Sequence, residues 1–442
     1  MKQVLILGAG LVSRPLVRYL LAVPDFRVVV ASRTKSKAEE LVRGHPNGTA
    51  LALLAEDEAA LRRLVAEADL VVSLLPWTLH LVVARHCLEL KRHLVTTSYV
   101  SEGMRRLDSQ ARARGVLFLN EIGLDPGIDH MSAMSVIDRI KKMGGRVTAF
   151  MSYCGGLPAP EANDNPFGYK FSWSPRGVLL AGRNEARYRK DGQEVVVPGS
   201  ELFRHRWPIV IEGAGEFEAY PNRNSLPYIA SYHLEGITTM LRGTLRNPGW
   251  CETMQAVSDL GLIKDDKLRT DLKDMSYAGW LRGFVGGRGD LRADTAAKLG
   301  LSPTHPILER FAWLGLFTER PIGLDQGADI DVLAKLMFEK LAYRPNERDM
   351  IVLHHEFAAE FPDRPRERIF STLVDFGAPA GDSAMARTVS LPAAIAVRLV
   401  LEGRIRLTGV QVPVMPEVYE PVLSELSRLG IVCRERSTTA PH

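Results

Sequence analysis

The stretch VLILGAGLVS, residues 4–13, decides how the amino-terminal part of this chain folds. Its first four residues are apolar and predict a short buried strand, and a helical pattern follows from Pro15. In the G-x-G-x-x-S motif between them, Gly8 permits a tight turn, Gly10 lets a pyrophosphate approach the backbone and Ser13 allows close packing. Free N–H groups at the start of the helix favour an anion there. The motif therefore predicts a dinucleotide site contacted by Gly8, Gly10, Leu11 and Val12.

The end of the second predicted strand indicates which dinucleotide binds. In a chain that binds NAD, an acidic residue at this point holds the ribose 2′-hydroxyl. Here the strand Arg27–Ala31 is followed by Ser32, Arg33 and Thr34, with no carboxylate. Because the planar guanidinium of Arg33 can grip a 2′-phosphate that a carboxylate would repel, we predict NADP(H) as the cofactor. The alternative is that Arg33 is only a solvated surface charge.

Strands and helices alternate along the first 120 residues. Apolar runs at 68–75, 93–97 and 116–120 predict further strands, and helical patterns separate them. This alternation is typical of an α/β fold with a doubly wound parallel sheet. The carboxyl ends of parallel strands meet at one edge of the sheet, so we expect a cofactor to lie along that edge. The residues predicted to line it are Gly10, Ser32, Leu75, Pro76, Ser98, Tyr99 and Glu121.

A turn that holds three carboxylates, NEIGLDPGIDH at 120–130, follows the last of these strands. Pro126 fixes its own φ and biases Asp125 towards an extended conformation. Gly127 allows backbone angles that other residues avoid. Acidic groups are therefore held on a stiff turn just past the carboxyl end of a strand, which is where ligands bind in open α/β sheets.

Two interpretations of this turn stay open at this point. In the functional one, Leu124 and Asp125 contact a cofactor that lies along the edge of the sheet. In the structural one, the segment is a capped loop between a strand and a helix, and Asp129 is the N-cap of the helix predicted over residues 131–141. Both use the same residue types, so the turn alone does not separate them.

Composition excludes several classes of protein. The chain has 442 residues, 46% hydrophobic and 24% charged, which is typical of a globular protein with two or three domains. A net charge of +4 with intermixed signs does not indicate a nucleic-acid or membrane partner. No run approaches the roughly 18 apolar residues of a transmembrane helix. The four cysteines have no CxxC spacing, so we expect no zinc site and a reducing, cytoplasmic location.

The run His354-His355-Glu356 is the place where the sequence most suggests metal ligands. It lies in a predicted strand over residues 348–357. Neighbouring residues of a strand point to opposite faces, so the two imidazoles cannot easily share one ion. We therefore predict that this chain holds no metal.

Several long blocks in the middle of the chain are too unusual to arise by chance. At 123–130, 153–161 and 164–178 they are GLDPGIDH, YCGGLPAPE and DNPFGYKFSWSPRGV. Through these blocks the chain resembles the glutamate-forming saccharopine dehydrogenases, or saccharopine reductases, of the α-aminoadipate route of lysine metabolism. The resemblance covers essentially the whole chain, and its further blocks are AYPNRNS (219–225), RGTLRNPG (242–249), FAWLGLF (311–317), NERDMIVLHHEF (346–357), STLVDFG (371–377) and VLEG (400–403).

The resemblance implies three domains, two of them discontinuous in sequence. Residues 1–124 and 384–442 would form an NADP-binding Rossmann domain. Residues 125–249 and 341–383 would form an α+β substrate domain with a mixed sheet, which in the family commonly carries the dimer interface, so we expect a homodimer. Residues 250–340 would form a small helical domain. The helical patterns in that range fall at 252–260, 267–274, 278–284, 294–299, 306–313 and 329–340.

The resemblance also implies a reaction and its residues. Members of the family join glutamate to α-aminoadipate semialdehyde through an imine, which NADPH reduces to saccharopine. Saccharopine carries three carboxylates and a secondary amine, so its pocket needs cations and a group that handles a proton. Carried over from the family, the substrate contacts are Ser98, Tyr99, Phe171, Ser172, Trp173, Arg223, Thr244 and Arg246. The candidates for proton handling are Asp125, Cys154 and Tyr99.

Two other functions compete with this one. Carboxynorspermidine dehydrogenase also couples an aldehyde to an amine reductively, but its polyamine substrate would need acidic groups where this chain has Arg223 and Arg246. A catalytically silent NADP-binding sensor would keep the glycine loop but not the block at 164–178. The resemblance leaves open the direction in which the reaction runs in the cell. We expect small-molecule substrates and no nucleic-acid or membrane partner.

Overall fold

The computed structural model describes residues 1–439. The chain divides into two compact units. Unit 1 comprises Met1–Val147 and the chain from Ala359 onward, and unit 2 comprises Thr148–Ala358. The chain enters unit 2 inside one strand and leaves it inside another, so unit 1 is discontinuous in sequence.

The first part of unit 1 alternates strands with helices, as the sequence predicts. Its strands are β1 (Lys2–Leu7), β2 (Phe26–Ser32), β3 (Gly48–Ala52), β4 (Leu70–Ser73), β5 (His93–Thr96) and β6 (Leu117–Leu119). Its helices are α1 (Ser13–Leu21), α2 (Lys35–Val42), α3 (Glu58–Glu67), α4 (His80–Glu89, preceded by a 3₁₀ turn at Trp77–Leu79), α5 (Glu102–Arg105), α6 (Asp108–Ala113) and α7 (Ile128–Lys142). Asp57 and Ser101 begin α3 and α5 as N-caps, because each side chain accepts a backbone N–H of the first turn.

Unit 2 begins within β7 and ends within β13. Its strands are β7 (Arg146–Pro158), β8 (Ala186–Lys190), β9 (Gln193–Val197), β10 (Trp207–Ile211), β11 (Gly215–Pro221), β12 (Thr239–Arg246) and β13 (Asp349–Glu360). Its helices are α8 (Pro175–Ala181), α9 (Pro227–Ser231), α10 (Trp250–Asp259), α11 (Tyr277–Val285), α12 (Leu291–Leu299), α13 (Pro306–Leu314) and α14 (Asp329–Leu341), with 3₁₀ turns at Pro160–Ala162 and Gly199–Glu201. Ser174, Ser276 and Asp290 are the N-caps of α8, α11 and α12.

The chain then returns to unit 1 and completes it. The remaining elements are β14 (Glu367–Phe376), α15 (Ala384–Leu401), β15 (Gly409–Gln411), α16 (Pro416–Arg428) and β16 (Arg434–Thr439). Helix α15 packs on α1, and the carboxylate of Asp382, just before it, accepts a 2.6 Å hydrogen bond from Nε of Arg14. Helix α15 and strand β15 therefore belong to the nucleotide-type fold that the amino terminus begins, whereas β14 and β16 pair with each other in the second sheet.

The sheet of unit 1 is parallel throughout, in the order β15-β6-β5-β4-β1-β2-β3. The first strand lies at its centre, and Val4, Leu5, Ile6 and Leu7 are at most 1% exposed. Strands β1 to β6 have the Rossmann order 3-2-1-4-5-6, in which the order reverses between β1 and β4. The predicted α/β class with a doubly wound parallel sheet is confirmed.

Helix α15 is the most apolar helix of unit 1. By length and composition it could span a membrane, since its 18 residues have a mean hydropathy of 1.5. The sequence prediction missed this because Arg387 and Arg398 interrupt the apolar run. Within the fold 78% of the helix is buried, as in the core helix of a globular protein.

The sheet of unit 2 is mixed, as predicted. Strands follow the order β10-β11-β12-β7-β13, and β8 pairs with β12 and β9. Strand β12 runs parallel to β7 but antiparallel to β11. Leu245 and Met240 of β12 are fully buried, so this strand is central to the core.

One predicted helix is absent from the described residues of unit 2. Residues 267–274 form no helix. Instead Arg269 exchanges two backbone hydrogen bonds with Gly327, and its guanidinium pairs with Asp271 and Asp329. These contacts with a distant segment replace the local helical hydrogen bonds, so tertiary structure overrides propensity here. The other predicted helices between 250 and 340 are present, whereas the division into three domains stays a prediction.

Candidate active site

The glycine loop joins β1 to α1 and is shaped by Ser13. Gly8 has φ 109°, and a Cβ on it would lie 2.9 Å from the carbonyl oxygen of Leu74 at the end of β4. The buried Ser13 hydroxyl accepts the N–H of Gly10 at 3.0 Å and donates to the carbonyl of Gly8 at 3.3 Å. The third position of the motif therefore holds the loop by hydrogen bonds, which the sequence argument, based on size alone, did not predict.

The loop leaves room for a ligand at the edge where the cofactor is predicted. A Cβ built on Gly10 meets no atom within 4 Å, and Leu11 is 60% exposed beside it. Val12 is the N-cap position of α1 but caps no N–H with its side chain, so the first turn offers N–H groups. The residues present fit a pyrophosphate at this helix N-terminus.

The end of β2 carries a cation and no acid. Ser32 is the last residue of β2, and Thr34 precedes α2. Arg33 between them is exposed, and among residues 1–439 no carboxylate lies within ion-pair distance of it. This arrangement suits the 2′-phosphate of NADP(H) and does not suit the 2′-hydroxyl of NAD(H).

The other predicted cofactor contacts differ in exposure. Leu75 and Pro76 follow β4 at the same edge as the glycine loop, half-buried and exposed respectively. Leu124 is 3% exposed, so its side chain belongs to the core and only its backbone can face a ligand. Asp125 is half-buried. The structure therefore brings most of the predicted set to one edge, with Leu124 as the exception.

The turn at 120–130 brings together two of the three residues predicted to handle protons. The hydroxyl of Tyr99, in the loop after β5, donates to Oδ1 of Asp125 at 2.8 Å. The Asp125–Pro126 peptide bond is cis, and the N–H of Gly123 donates to the carbonyl of Pro126 at 2.9 Å. Gly127 has φ 148°, and a Cβ on it would overlap the backbone of Gly123. This tightly closed turn fixes the carboxylate opposite the phenol.

Asp129 is not the N-cap that the structural interpretation expected. Helix α7 begins at Ile128 with Gly127 as N-cap, and Asp129 lies in its first turn. Its buried carboxylate accepts the N–H of Gly127 at 2.5 Å and that of His130 at 2.8 Å. The helix begins earlier than the sequence predicted because this carboxylate satisfies N–H groups from inside the first turn.

His80 is a part of this region that the sequence argument missed. Its imidazole shares hydrogen bonds of 2.8 Å with the hydroxyls of Ser73 and Ser98, and one of 3.2 Å with Thr96. Burial lowers the pKa of His80 from 6.5 to about 4, so the ring is neutral near pH 7. The apolar helical sequence around His80 does not indicate a role in the site. The hydroxyls that its ring contacts come from the ends of two strands elsewhere in the sequence.

Unit 2 holds a buried arginine without an acidic partner. Arg246 at the end of β12 is 7% exposed, and its guanidinium lies 5.0 Å from the ring centre of Tyr169 and 5.7 Å from that of Trp250. Nη1 donates to the carbonyl of Leu245 at 2.7 Å, whereas the buried Nε has no hydrogen-bond acceptor in the part of the chain that the structure describes. No carboxylate among the described residues lies within ion-pair distance of it. A buried cation left in this state favours an anionic ligand.

Cys154 and Thr244 lie on neighbouring strands next to Arg246. They are register partners in the parallel pair β7–β12, and Thr244 also faces Tyr220 across the antiparallel pair β11–β12. Burial raises the pKa of Tyr220 to about 12. Burial alone would lower the pKa of Arg246, but the surrounding Tyr220, Tyr169 and cysteine side chains, among them Cys154, raise it on balance. The guanidinium is therefore charged.

The block at 164–178 supplies a second unsatisfied polar group. Ser172 is 6% exposed, and its hydroxyl has no hydrogen-bond partner within residues 1–439. Phe171 beside it is held by a 2.8 Å hydrogen bond from its N–H to the carbonyl of Leu341, and its ring lies 5.2 Å from that of Tyr169. Trp173 is half-buried. Tyr169 thus connects this block to Arg246.

Arg223 is the predicted substrate residue whose placement differs most from Arg246. It lies in an exposed loop with φ 54°, and its carbonyl accepts the N–H of Arg187 at 2.9 Å. The structure therefore gathers the predicted substrate and proton-handling residues into two groups. Unit 1 holds Ser98, Tyr99 and Asp125, and unit 2 holds Cys154, Phe171, Ser172, Trp173, Arg223, Thr244 and Arg246. Among residues 1–439 no cluster of three His, Cys, Asp or Glu side chains could hold a metal.

Comparison with known sequences decides the family. The saccharopine dehydrogenase NADP binding domain matches residues 4–119, and the saccharopine dehydrogenase C-terminal domain matches residues 123–431. The chain belongs to the saccharopine dehydrogenase family. The predicted resemblance is confirmed, and so is the NADP(H) prediction drawn from the end of β2, at the level of the matched domain.

Members of the saccharopine dehydrogenase family resemble this chain over its full length. Saccharopine dehydrogenase [NADP(+), L-glutamate-forming] of Saccharomyces cerevisiae is 41% identical over 99% of both chains, and that of Pyricularia oryzae is 39% identical over 98% of this chain and 99% of its own. The solved apo structure of the Saccharomyces cerevisiae L-Glu-forming enzyme superposes with a TM-score of 0.87, at 40% identity and over 99% of this chain and 100% of its own.

A larger relative contains the same region within a longer chain. The mitochondrial alpha-aminoadipic semialdehyde synthase of Bos taurus is 37% identical over 99% of this chain, which corresponds to 48% of the synthase. The two family domains found here therefore also occur as one part of a longer polypeptide.

Proposed function

We propose that this member of the saccharopine dehydrogenase family is an oxidoreductase that interconverts saccharopine with L-glutamate and α-aminoadipate semialdehyde, using NADP(H). The names of relatives that match over the full length support this activity. The observation that carries the substrate class is Arg246, a buried and charged guanidinium without an acidic partner among the described residues. An elongated amino acid with several carboxylates satisfies such a cation, whereas a polyamine would be repelled by it.

Residues of unit 1 would hold the cofactor. The N–H groups at the start of α1 suit its pyrophosphate and Arg33 suits its 2′-phosphate. When bound, NADPH supplies a hydride to the carbon–nitrogen double bond, and NADP⁺ accepts one in the reverse direction. Gly8 and Ser13 fix the shape of the loop before any ligand arrives, so little ordering is needed on binding.

Tyr99 and Asp125 supply the group that moves a proton. Oxidation of a secondary amine requires the amine to be neutral, so a carboxylate must take its proton; in the reverse direction the same carboxyl returns it. Asp125 accepts a hydrogen bond from Tyr99 and is therefore oriented as an acceptor. The hydrogen bond from the phenol fixes the orientation of the carboxylate that takes the proton of the substrate nitrogen.

The side chains of unit 2 bind the carboxylates of the substrate. A charged guanidinium makes forked hydrogen bonds to a carboxylate, and the Ser172 hydroxyl can donate one more. Tyr169 and Trp250 pack beside the guanidinium of Arg246 and keep water away from it. Exclusion of water strengthens each of these electrostatic contacts.

The decisive assay uses purified protein with saccharopine and NADP⁺. We expect NADPH absorbance to rise with the release of glutamate in equal amount. The matched assay supplies glutamate, the semialdehyde and NADPH, and should show the reverse change. Carboxynorspermidine in place of saccharopine is the control substrate. Turnover of carboxynorspermidine without turnover of saccharopine would contradict the proposal and favour the polyamine alternative.

We further propose that the protein is a cytoplasmic homodimer. The cysteine usage supports the location. The resemblance to a family whose substrate domain commonly carries a dimer interface supports the dimer. Light scattering coupled to gel filtration would give the mass of the assembly, and a mass of one chain at assay concentration would contradict the dimer. Fractionation of cells that express the tagged chain would test its location.

A further inference from the structure

Glu121 has a buried carboxylate to which the proposed reaction assigns no part. It is 4% exposed, and its Oε1 accepts the N–H of Val100 at 2.9 Å. Its Oε2 shares a 2.9 Å hydrogen bond with Nε2 of His130, which is fully buried in the first turn of α7. One carboxylate therefore ties the loop after β5, where Tyr99 lies, to the helix that follows the Asp125 turn.

The backbone of Glu121 makes a second hydrogen bond to the loop after β5. Its N–H donates to the carbonyl of Ser98 at 3.1 Å. Its φ is 58°, a left-handed conformation that disfavours side chains with a Cβ and is usually taken by glycine or asparagine. A glutamate kept in this conformation indicates that its carboxylate is what the position needs.

Hydrogen bonds therefore hold the segment from Ser98 to Val100 at both of its ends. The imidazole of His80 shares a 2.8 Å hydrogen bond with the hydroxyl of Ser98. The carboxylate of Glu121 accepts the N–H of Val100, and the N–H of Glu121 donates to the carbonyl of Ser98. Tyr99 is the residue between these two anchors. Since both neighbours are fixed, the direction in which the phenol leaves the loop is fixed as well.

We propose that Glu121, with His130, is a positioning residue for the reaction. It acts through Tyr99, because the link from the loop to α7 sets where the phenol meets the carboxylate of Asp125. This inference rests on the proposed function, in which Tyr99 and Asp125 move the proton. Loss of the link lets the loop shift relative to the turn, and a displacement of about 1 Å at a reacting group can lower the rate about a hundredfold.

The test compares Glu121→Ala with Glu121→Gln. The alanine variant loses the side-chain hydrogen bonds to Val100 and His130, whereas the glutamine variant keeps an acceptor for the N–H of Val100 and an amide group beside Nε2 of His130. We expect kcat for saccharopine oxidation to fall about 10- to 100-fold in Glu121→Ala, with KM for NADP⁺ within about twofold of wild type. Glu121→Gln should recover kcat to within about fivefold of wild type.

A control variant for folding removes a different hydrogen bond to α7, one that comes from α16. Tyr419→Phe removes the 2.6 Å hydrogen bond from its hydroxyl to Asp138 on α7, and it should keep the wild-type kcat. Assays are run below the unfolding temperature of each variant and scaled to folded protein by circular dichroism. Wild-type kcat in Glu121→Ala, an equal loss in Tyr419→Phe, or a loss in Glu121→Ala that only reflects weaker NADP⁺ binding would each overturn the positioning role. Absence of saccharopine turnover by the wild-type protein would overturn the proposed function and, with it, this inference.

Discussion

The hydroxyl of Tyr99 donates a 2.8 Å hydrogen bond to Oδ1 of Asp125, across 26 positions of sequence. Two side chains predicted separately to handle protons therefore form one pair. If they act as a unit, removal of either one should cost almost as much as removal of both.

We therefore expect Tyr99→Phe and Asp125→Asn each to lower kcat for saccharopine oxidation about a hundredfold. The double variant should be no more than about threefold slower than the slower single variant, because both changes break the same hydrogen bond. Steady-state kinetics of the four proteins give the coupling between the two residues. Losses that multiply in the double variant would show that the two residues act independently.

Arg33 should determine the preference for NADPH over NADH. Substitution by alanine removes a charge-assisted contact with the 2′-phosphate, which is worth about 1.5–3 kcal/mol, so the preference should fall about 10- to 100-fold. The ratio of kcat/KM for the two cofactors measures it. The control variant is Arg27→Ala, which changes an exposed arginine of strand β2 and should leave the ratio unchanged. An unaltered ratio in Arg33→Ala would show that Arg33 is only a solvated surface charge.

Gly127 should tolerate no side chain. It combines φ 148° with a Cβ position that overlaps the backbone of Gly123, so Gly127→Ala should cost about 3 kcal/mol or more, or prevent folding. Gly115, with φ 67° and no atom within 4 Å of its Cβ position, is the matched control and should lose about 1 kcal/mol. Urea unfolding followed by circular dichroism compares the two. Equal stability of both variants would mean that the turn can open.

Arg246 should affect activity without supporting the fold. Arg246→Met removes a buried charge that lacks an acidic partner, so kcat/KM for saccharopine should fall about a hundredfold while stability is kept or rises. Lys170, 3% exposed and paired with Asp164 at 2.8 Å and Glu347 at 2.7 Å, provides the contrast. Lys170→Met should cost on the order of 2 kcal/mol, since Asp164 and Glu347 lose this buried cation and keep the more exposed Arg344 as their ion-pair partner. Thermal unfolding, measured together with steady-state kinetics, distinguishes the Arg246 variant from the Lys170 variant. A large loss of stability in Arg246→Met would contradict the role of Arg246 in binding.

His80 should make the protein less stable in mild acid. Because its folded pKa is lowered from 6.5 to about 4, the unfolded chain binds the proton first as the pH falls. The contribution is fully present above pH 6.5 and is lost as the pH drops towards 4, by on the order of 2 kcal/mol between pH 7 and pH 5. The pH dependence of unfolding should be shallower in His80→Gln than in wild type. An unchanged slope in His80→Gln would contradict the prediction.

Local patterns predicted the elements of this fold better than its connections. The run at Val4–Leu7, the glycines after it and the alternation of strands and helices follow from period and turn chemistry, and they predicted the sheet correctly. The helix expected at 267–274 did not form, because Arg269 pairs with Gly327, a segment that no local pattern points to. The end of β2 allowed a cofactor prediction because a single side chain type decides it.

The candidate site was predictable as a set of residues but not as a geometry. The hydrogen bonds between Tyr99 and Asp125, between His80 and Ser98 and between Val100 and Glu121 all join segments that follow different strands. Spacing carries no information about such pairs, since it is the strand order of the sheet that brings them together. The unsatisfied Nε of Arg246 is likewise visible only when the surrounding side chains have been placed.

The sheet of unit 1 is completed by β15, whose residues 409–411 pair with β6 at 117–119. On the ribosome, β6 is made long before its partner, and at 5–20 residues per second the gap lasts about 15 to 60 s. During that time the edge of a buried strand stays open, and the face of α1 that α15 covers stays uncovered. Nascent chains of this protein should therefore depend on chaperones until α15 and β15 have emerged.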